Sequence, residues 1–153
     1  MKHTFLLFAL FAILPCFSQT DYAKVPMDTP EEIKAAEKDV LDAATIVLAI
    51  PTAQRTKQSI EAELFILTWM EKTEHTFILS QAMLKCCKKD DMLGVYLAAL
   101  AKGKLGYNEK HEVNAVKEFI KYVNNPNMGI KKTGAIKKLI KANDSGDLSY
   151  YTS

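Results

Sequence analysis

Residues 92–101, MLGVYLAALA, hold no charged side chain and constrain the fold of this chain more than any other stretch. Wound as a helix, the run is apolar on every face. A helix without a polar face has to be surrounded by other elements, and ten residues fall short of the roughly 20 that cross a bilayer. The run therefore predicts a central helix inside a helical domain.

The flanking sequence supplies the surrounding helices. Thr29, Pro30 and Glu32 stand at the N-cap, N1 and N3 positions of a capping box, in which the hydroxyl and the carboxylate each satisfy a free backbone N–H. Ile33, Ala36, Val40, Ala44 and Val47 then share one stripe, joined by Leu41 and Leu48, until Pro51 disfavours helical geometry at Ile50. A second helix is expected over about residues 53–72, with Ile60, Leu64, Leu67, Trp69 and Met70 turned inward. A third, about 77–88, carries Ile78, Leu79, Met83 and Cys86.

Asp90 and Asp91 suit the N-cap and first turn of the central helix, where carboxylates meet the positive end of the dipole. Asn108 is the expected cap of a fifth helix with Val113, Val116, Phe119, Ile120 and Val123 in register, closed by Asn124, Asn125 and Pro126. A sixth, about 132–142, uses Ile136, Leu139 and Ile140; Gly146 ends it, and Leu148, Tyr150 and Tyr151 pin the tail. No stretch alternates with period two, so strands are not indicated. The expectation is an all-α fold: a single compact domain of about six helices, packed as an irregular or orthogonal bundle of helical hairpins. Gly94, Tyr96 and Ala98 imitate part of a tetratricopeptide repeat, but its signature residues do not fall in register.

Residues 1–18 read as a secretory signal peptide. Lys2 precedes the apolar run 5–14, and Cys16 and Ser18 provide the small residues a signal peptidase requires. Pro15 stands where a lipidated Cys16 would be preceded by glycine or alanine, which favours a freed domain over a tethered one. Residues 19–28 follow as a polar, flexible lead-in, and 29–153 form the helical domain. The expected location is the periplasm or the exterior, with no stable membrane insertion after cleavage.

Of the 20 basic and 18 acidic side chains, Lys2 leaves with the leader, and the net charge falls from +2 to +1. That balance provides no field to steer nucleic acid. A mature chain of this size buries about 70% of its unfolded surface and needs neither disulfide nor metal. Cys86 and Cys87 are adjacent, with Cα atoms about 3.8 Å apart, too close for an ordinary disulfide. Cys86 continues the stripe of Leu79, Ala82 and Met83, so both thiols are expected in the core.

Few residues suggest chemistry. His111 and Glu112 open like a zinc-protease helix, but Ala115 occupies the place of the second histidine, which breaks the motif. Glu109, His111 and Glu112 then read as an exposed first turn. Glu71, Glu74 and His75 cluster between the second and third helices, where a carboxylate beside an imidazole serves acid–base work or metal binding. The competing reading is a solvated link. Met70, Met83, Cys86, Cys87 and Met92 offer soft ligands around His75, but methionines at helical spacing ordinarily fill core gaps. Tyr96, Tyr107 and Tyr122 fit either the mouth of an apolar ligand site or a core rim.

Lys131, Lys132, Lys137, Lys138 and Lys141 make a basic face on the sixth helix. Residues 21–50 hold seven acids against three lysines, a net −4. The two regions are expected to attract each other, within one molecule or between two.

The stretches LTWMEKTEHTF (67–77), MLGVYLAALAK and NNPN together resemble small secreted all-helical proteins of unknown function from Gram-negative bacteria. The resemblance spans most of the mature chain, its motifs are packing motifs, and it implies no activity. Trp69 is its most recognisable position, either a core indole bonded to a carbonyl or the wall of a groove shared with Phe77. The sequence thus points to an exported helical binding protein without catalytic residues, cofactor or metal. Its expected partner is another exported protein, as for an inhibitor or immunity protein, and its candidate binding residues are Trp69, Glu71, Glu74, His75 and Phe77. The alternative is a small metal-binding or hydrolytic protein using Glu71, Glu74 and His75.

Overall fold

The N-terminal helix begins where the capping box places it. In the computed structural model, which describes residues 20–89, 91–107 and 109–153, Thr29 Oγ1 accepts from the Glu32 N–H (3.3 Å). Glu32 Oε2 accepts in return from the N–H groups of Asp28 (2.9 Å) and Thr29 (3.1 Å). The expected signal peptide, residues 1–18, and the expected cap residues Asp90 and Asn108 lie outside the described residues.

Eight α-helices occur among the described residues, and no strand. The first expected helix divides at Ala36 into α1 (Pro30–Ala35) and α2 (Glu37–Ala49). It stops before Pro51 with Ile50 in extended geometry. The segment expected to start the second helix forms a 3-10 turn at Thr52–Gln54, and α3 runs Lys57–Lys72. The delay has a local cause. Thr56 and Ser59 cap each other, the Thr56 N–H donating to Ser59 Oγ (2.9 Å) and the Ser59 N–H to Thr56 Oγ1 (3.2 Å).

The inward face of α3 is also displaced from the expected one. Ser59, Ala62, Phe65, Ile66 and Trp69 are buried, whereas Ile60, Leu64 and Leu67 are 46%, 58% and 39% exposed. Both sets have helical spacing. Small residues at 59 and 62 let the first set approach its neighbours closely, Phe65 stacks on Tyr22 with ring centroids 4.9 Å apart, and the Trp69 indole finds a backbone acceptor. Those fits outweigh burial of three aliphatic side chains.

The third expected helix contracts to α4 (Gln81–Cys86), because Ser80 caps it by accepting from the Met83 N–H (3.2 Å). Ile78 and Leu79 consequently stay in the extended link, 39% and 44% exposed, while Ala82, Met83 and Cys86 are buried. The central run forms α5 (Met92–Gly106), in which Leu93 is the exception to burial across 92–101. Asp91 precedes it in left-handed geometry and makes no side-chain cap bond. The Arg55 guanidinium instead donates to the Asp91 carbonyl (2.8 Å).

Helix α6 (His111–Asn124) packs along α5, and α5 also packs on α2 and α3. Ala98 and Ala101 face the half built from α1–α3, with Tyr22 and Met27. Val95, Tyr96, Ala99 and Leu100 face the half built from α4 and the C-terminal helices. The two halves thus share α5 as a wall. Gly103 permits the close α5–α6 contact: a Cβ there would stand 2.6 Å from the His111 carbonyl oxygen and 3.1 Å from Ala115 Cβ.

After a 3-10 turn at Pro126–Met128, Thr133 rather than Lys132 starts α7 (Gly134–Asp144), accepting from the Ile136 N–H (3.3 Å). Gly146, at φ 78°, closes it: the N–H groups of Gly146 and Asp147 donate to the carbonyls of Asn143 and Ala142, both at 3.0 Å. This is a Schellman ending. The tail turns into α8 (Ser149–Thr152). Leu148 and Tyr151 are buried as expected, but Tyr150 is 65% exposed.

Candidate functional site

Trp69 organises the region in which the sequence placed its candidates. The indole is fully buried, and its Nε1–H donates to the Ile33 carbonyl (3.3 Å), tying the end of α3 to α1. His75 and Phe77 pack around it, with ring centroids 5.7 Å and 5.8 Å from the indole. Trp69 therefore positions this region from beneath and offers no surface to a ligand. Phe77 is half-buried beside it.

Helix α3 ends at Thr73 in extended geometry, and the chain then carries Glu74 and His75 back toward α1 and α2. The carboxylate that meets His75 comes from neither Glu71 nor Glu74. Glu37, in the first turn of α2, has Oε1 3.1 Å from His75 Nε2. An ionised carboxylate only accepts, so Nε2–H is the donor. Both side chains are about one-third exposed. Glu71 and Glu74 are exposed.

Ile33, Lys34, Glu37, Thr73, Glu74 and His75 line an open cleft of about 550 Å³. Lys72, also on its edge, is tied down by donating to the Met27 carbonyl (2.9 Å). The arrangement can hold a proton between imidazole and carboxylate. Among the described residues, no three His, Cys, Asp or Glu side chains are placed to hold a metal ion. The sequence reading missed Glu37, which lies 38 positions from its partner. Only its place in an acidic first turn marks it.

The remaining candidates separate. His111 Nδ1–H donates to the Gly103 carbonyl (3.2 Å) and is half-buried, as is Glu112; this corrects the fully exposed turn expected there, in which only Glu109 is exposed. Ala115 packs against Gly103, where an imidazole has no room. Met83, Cys86, Cys87 and Met92 are buried in one cluster with Tyr96, and Met70 packs on its edge. Burial pushes the thiols of Cys86 and Cys87 up to about 11 and about 12.

The three tyrosines take three different roles. Tyr96 is fully buried edge-on to Phe119, and its hydroxyl has no hydrogen-bond partner among the described residues. Tyr122 donates to the Ile50 carbonyl (2.9 Å), and Tyr107 is 39% exposed beyond the end of α5. All five lysines of the basic face on and before α7 are exposed.

No protein-family model matches the chain, and comparison with curated proteins and with solved structures finds no match.

Proposed function

We propose that this chain is an exported, non-catalytic interaction protein that binds another exported protein, as an inhibitor or immunity protein does. The observation that carries the reading is the outward face of α3. Ile60, Leu64 and Leu67 follow one another at i, i+4 and i+7 and stay exposed while the same helix buries a different stripe. Clustered exposed aliphatics mark interaction surfaces, and burying what remains exposed of each against a partner is worth about 1 kcal/mol before association costs. The leader supports export. The packing of α2 on α3 and of α5 on α6 supports reading the bundle as irregular, assembled from helical hairpins.

Affinity capture from the exported fraction of the native cell, with residues 19–153 as bait, tests this. The wild-type bait is expected to return a specific partner that Leu64→Glu bait loses. A partner retained equally by both baits would contradict the reading.

A second reading, acid–base or metal chemistry centred on Glu71, Glu74 and His75, draws on one observation: Glu74 and His75 line a common cleft with Glu37. Zinc titration followed by calorimetry of wild type and His75→Ala tests it. Stoichiometric binding lost in the variant supports this reading, and no heat in either counts against a tight metal site.

A further inference from the structure

Two surfaces of the fold complement each other in charge. On α3, Ile60, Leu64 and Leu67 form an exposed stripe that Glu71 continues at i+11, with Glu61 exposed on its flank. Between α6 and the C-terminal tail lies an open groove of about 930 Å³. Half-buried Val113 and the buried Ile120 and Leu148 form its apolar floor, the exposed lysines Lys117 and Lys121 follow one flank of α6, and exposed Lys110 stands at its N-cap.

The registers coincide. Val113, Lys117 and Ile120 repeat the i, i+4, i+7 spacing of Ile60, Leu64 and Leu67, so the apolar ends of each stripe stand about 10.5 Å apart on a helix rising 1.5 Å per residue. On the same measure Glu61 and Glu71 are separated by about 15 Å along α3, and Lys117 and Lys121 by about 6 Å along α6. Charge complements the fit. Glu61 has Lys57 at 3.6 Å, a solvated pair that another lysine replaces at little cost. Asp147, the acid on the groove wall, is held by the N–H and hydroxyl of Ser149 at 3.1 and 2.6 Å.

The polarity extends beyond the two stripes. Residues 21–50 carry −4, whereas residues 110–153 hold eight lysines against four acids, a net +4. Helices α3 and α6 each pack on α5, which holds them apart, so the surfaces can meet only between molecules.

We propose that the groove between α6 and the tail receives the outward face of α3 from a second copy of this chain. The proposal rests on reading that face as a binding surface and names its occupant. The contact joins two different patches, so it is heterologous and builds a closed ring or an open chain according to its rotation.

Sedimentation of residues 19–153 over a range of concentrations tests this, with far-UV circular dichroism to confirm that each variant is folded. The wild type is expected to gain mean mass with concentration, less so at high salt. Leu64→Glu, the pair Lys117→Glu with Lys121→Glu, and the pair Glu61→Lys with Glu71→Lys should each weaken association by about tenfold or more. Mixing the two charge-reversed proteins should restore it, because the acidic stripe of one then faces the lysine groove of the other. A wild type that stays monomeric throughout, or variants that associate as the wild type does, would overturn the proposal. A monomeric wild type whose Leu64→Glu variant still loses a captured partner removes self-docking and leaves the binding role of α3 in place.

Discussion

The carboxylate of Glu63 lies directly over Gly94, in the space that a Cβ at position 94 would occupy. Arg55 holds it there from 3.0 Å and reaches on to the Asp91 carbonyl at 2.8 Å. One arginine thus joins the start of α3 to the left-handed entry of α5. Burial raises the Glu63 carboxyl above its ordinary range, and Arg55 acts against that rise. Gly94→Ala must displace the carboxylate, which is the end of a flexible side chain. The loss of the ion pair, about 1 kcal/mol, is then nearly cancelled by the better helix propensity of alanine. Chemical denaturation should show a change within about 1 kcal/mol.

Gly103 presents the opposite case. A Cβ there meets the His111 carbonyl and Ala115 on α6, which are backbone and a short side chain and cannot swing aside. Gly103→Ala should therefore separate α5 from α6 and destabilise the fold by about 1–3 kcal/mol despite its propensity gain. Urea unfolding of the two glycine variants side by side measures the contrast.

Ser80 pins the tail. Its hydroxyl donates to the Tyr151 carbonyl (2.8 Å) and accepts from the Met83 N–H (3.2 Å), both in buried surroundings. Ser80→Ala removes a helix cap and leaves a buried carbonyl without its donor, a loss of about 2–3 kcal/mol. Ser80→Thr should recover part of it. Limited proteolysis should cut the alanine variant near α8 sooner than the wild type.

Alkaline pH should destabilise the protein, first through its thiols and then, above the ordinary tyrosine value of 10.0, through the buried Tyr22 and Tyr96 as well. Cys86 and Cys87 keep their protons up to about 11 and about 12, against an ordinary value of 9.0. As pH rises past 9.0 the unfolded chain releases these protons and the native state retains them. The native state then binds more protons, and stability falls with rising pH, by about 1.4 kcal/mol per pH unit of separation for each thiol. Denaturation between pH 8 and 10, below the ordinary tyrosine value of 10.0, checks the slope, which Cys86→Ala with Cys87→Ala should flatten. Iodoacetamide at pH 8 should label the thiols only on unfolding.

What the sequence made legible was the apolar skeleton. The unbroken run in α5 located the centre, Thr29 and Glu32 located the first helix, and Gly146 located the end of α7. Faces were harder to read. On α3 two stripes on opposite faces both have helical spacing, and the choice between them depends on what the partner helices accept, such as the Ile33 carbonyl for Trp69. Short polar residues also outweighed longer patterns: Thr56 delays α3 and Ser80 delays α4. At the candidate cleft, Glu74 and His75 were found because they adjoin in sequence. Glu37 was not, because its pairing with His75 is made by the fold across 38 positions.

The central claim is that the aliphatic face of α3 exists to be covered by another molecule. Leu64, at 58% exposure, tests it most directly. Leu64→Glu should unfold within about 0.5 kcal/mol of the wild type, as an exposed substitution does, yet lose the captured partner in a parallel pull-down. Destabilisation by about 2 kcal/mol or more, the mark of a buried leucine, or undiminished capture by the folded variant, would contradict the account.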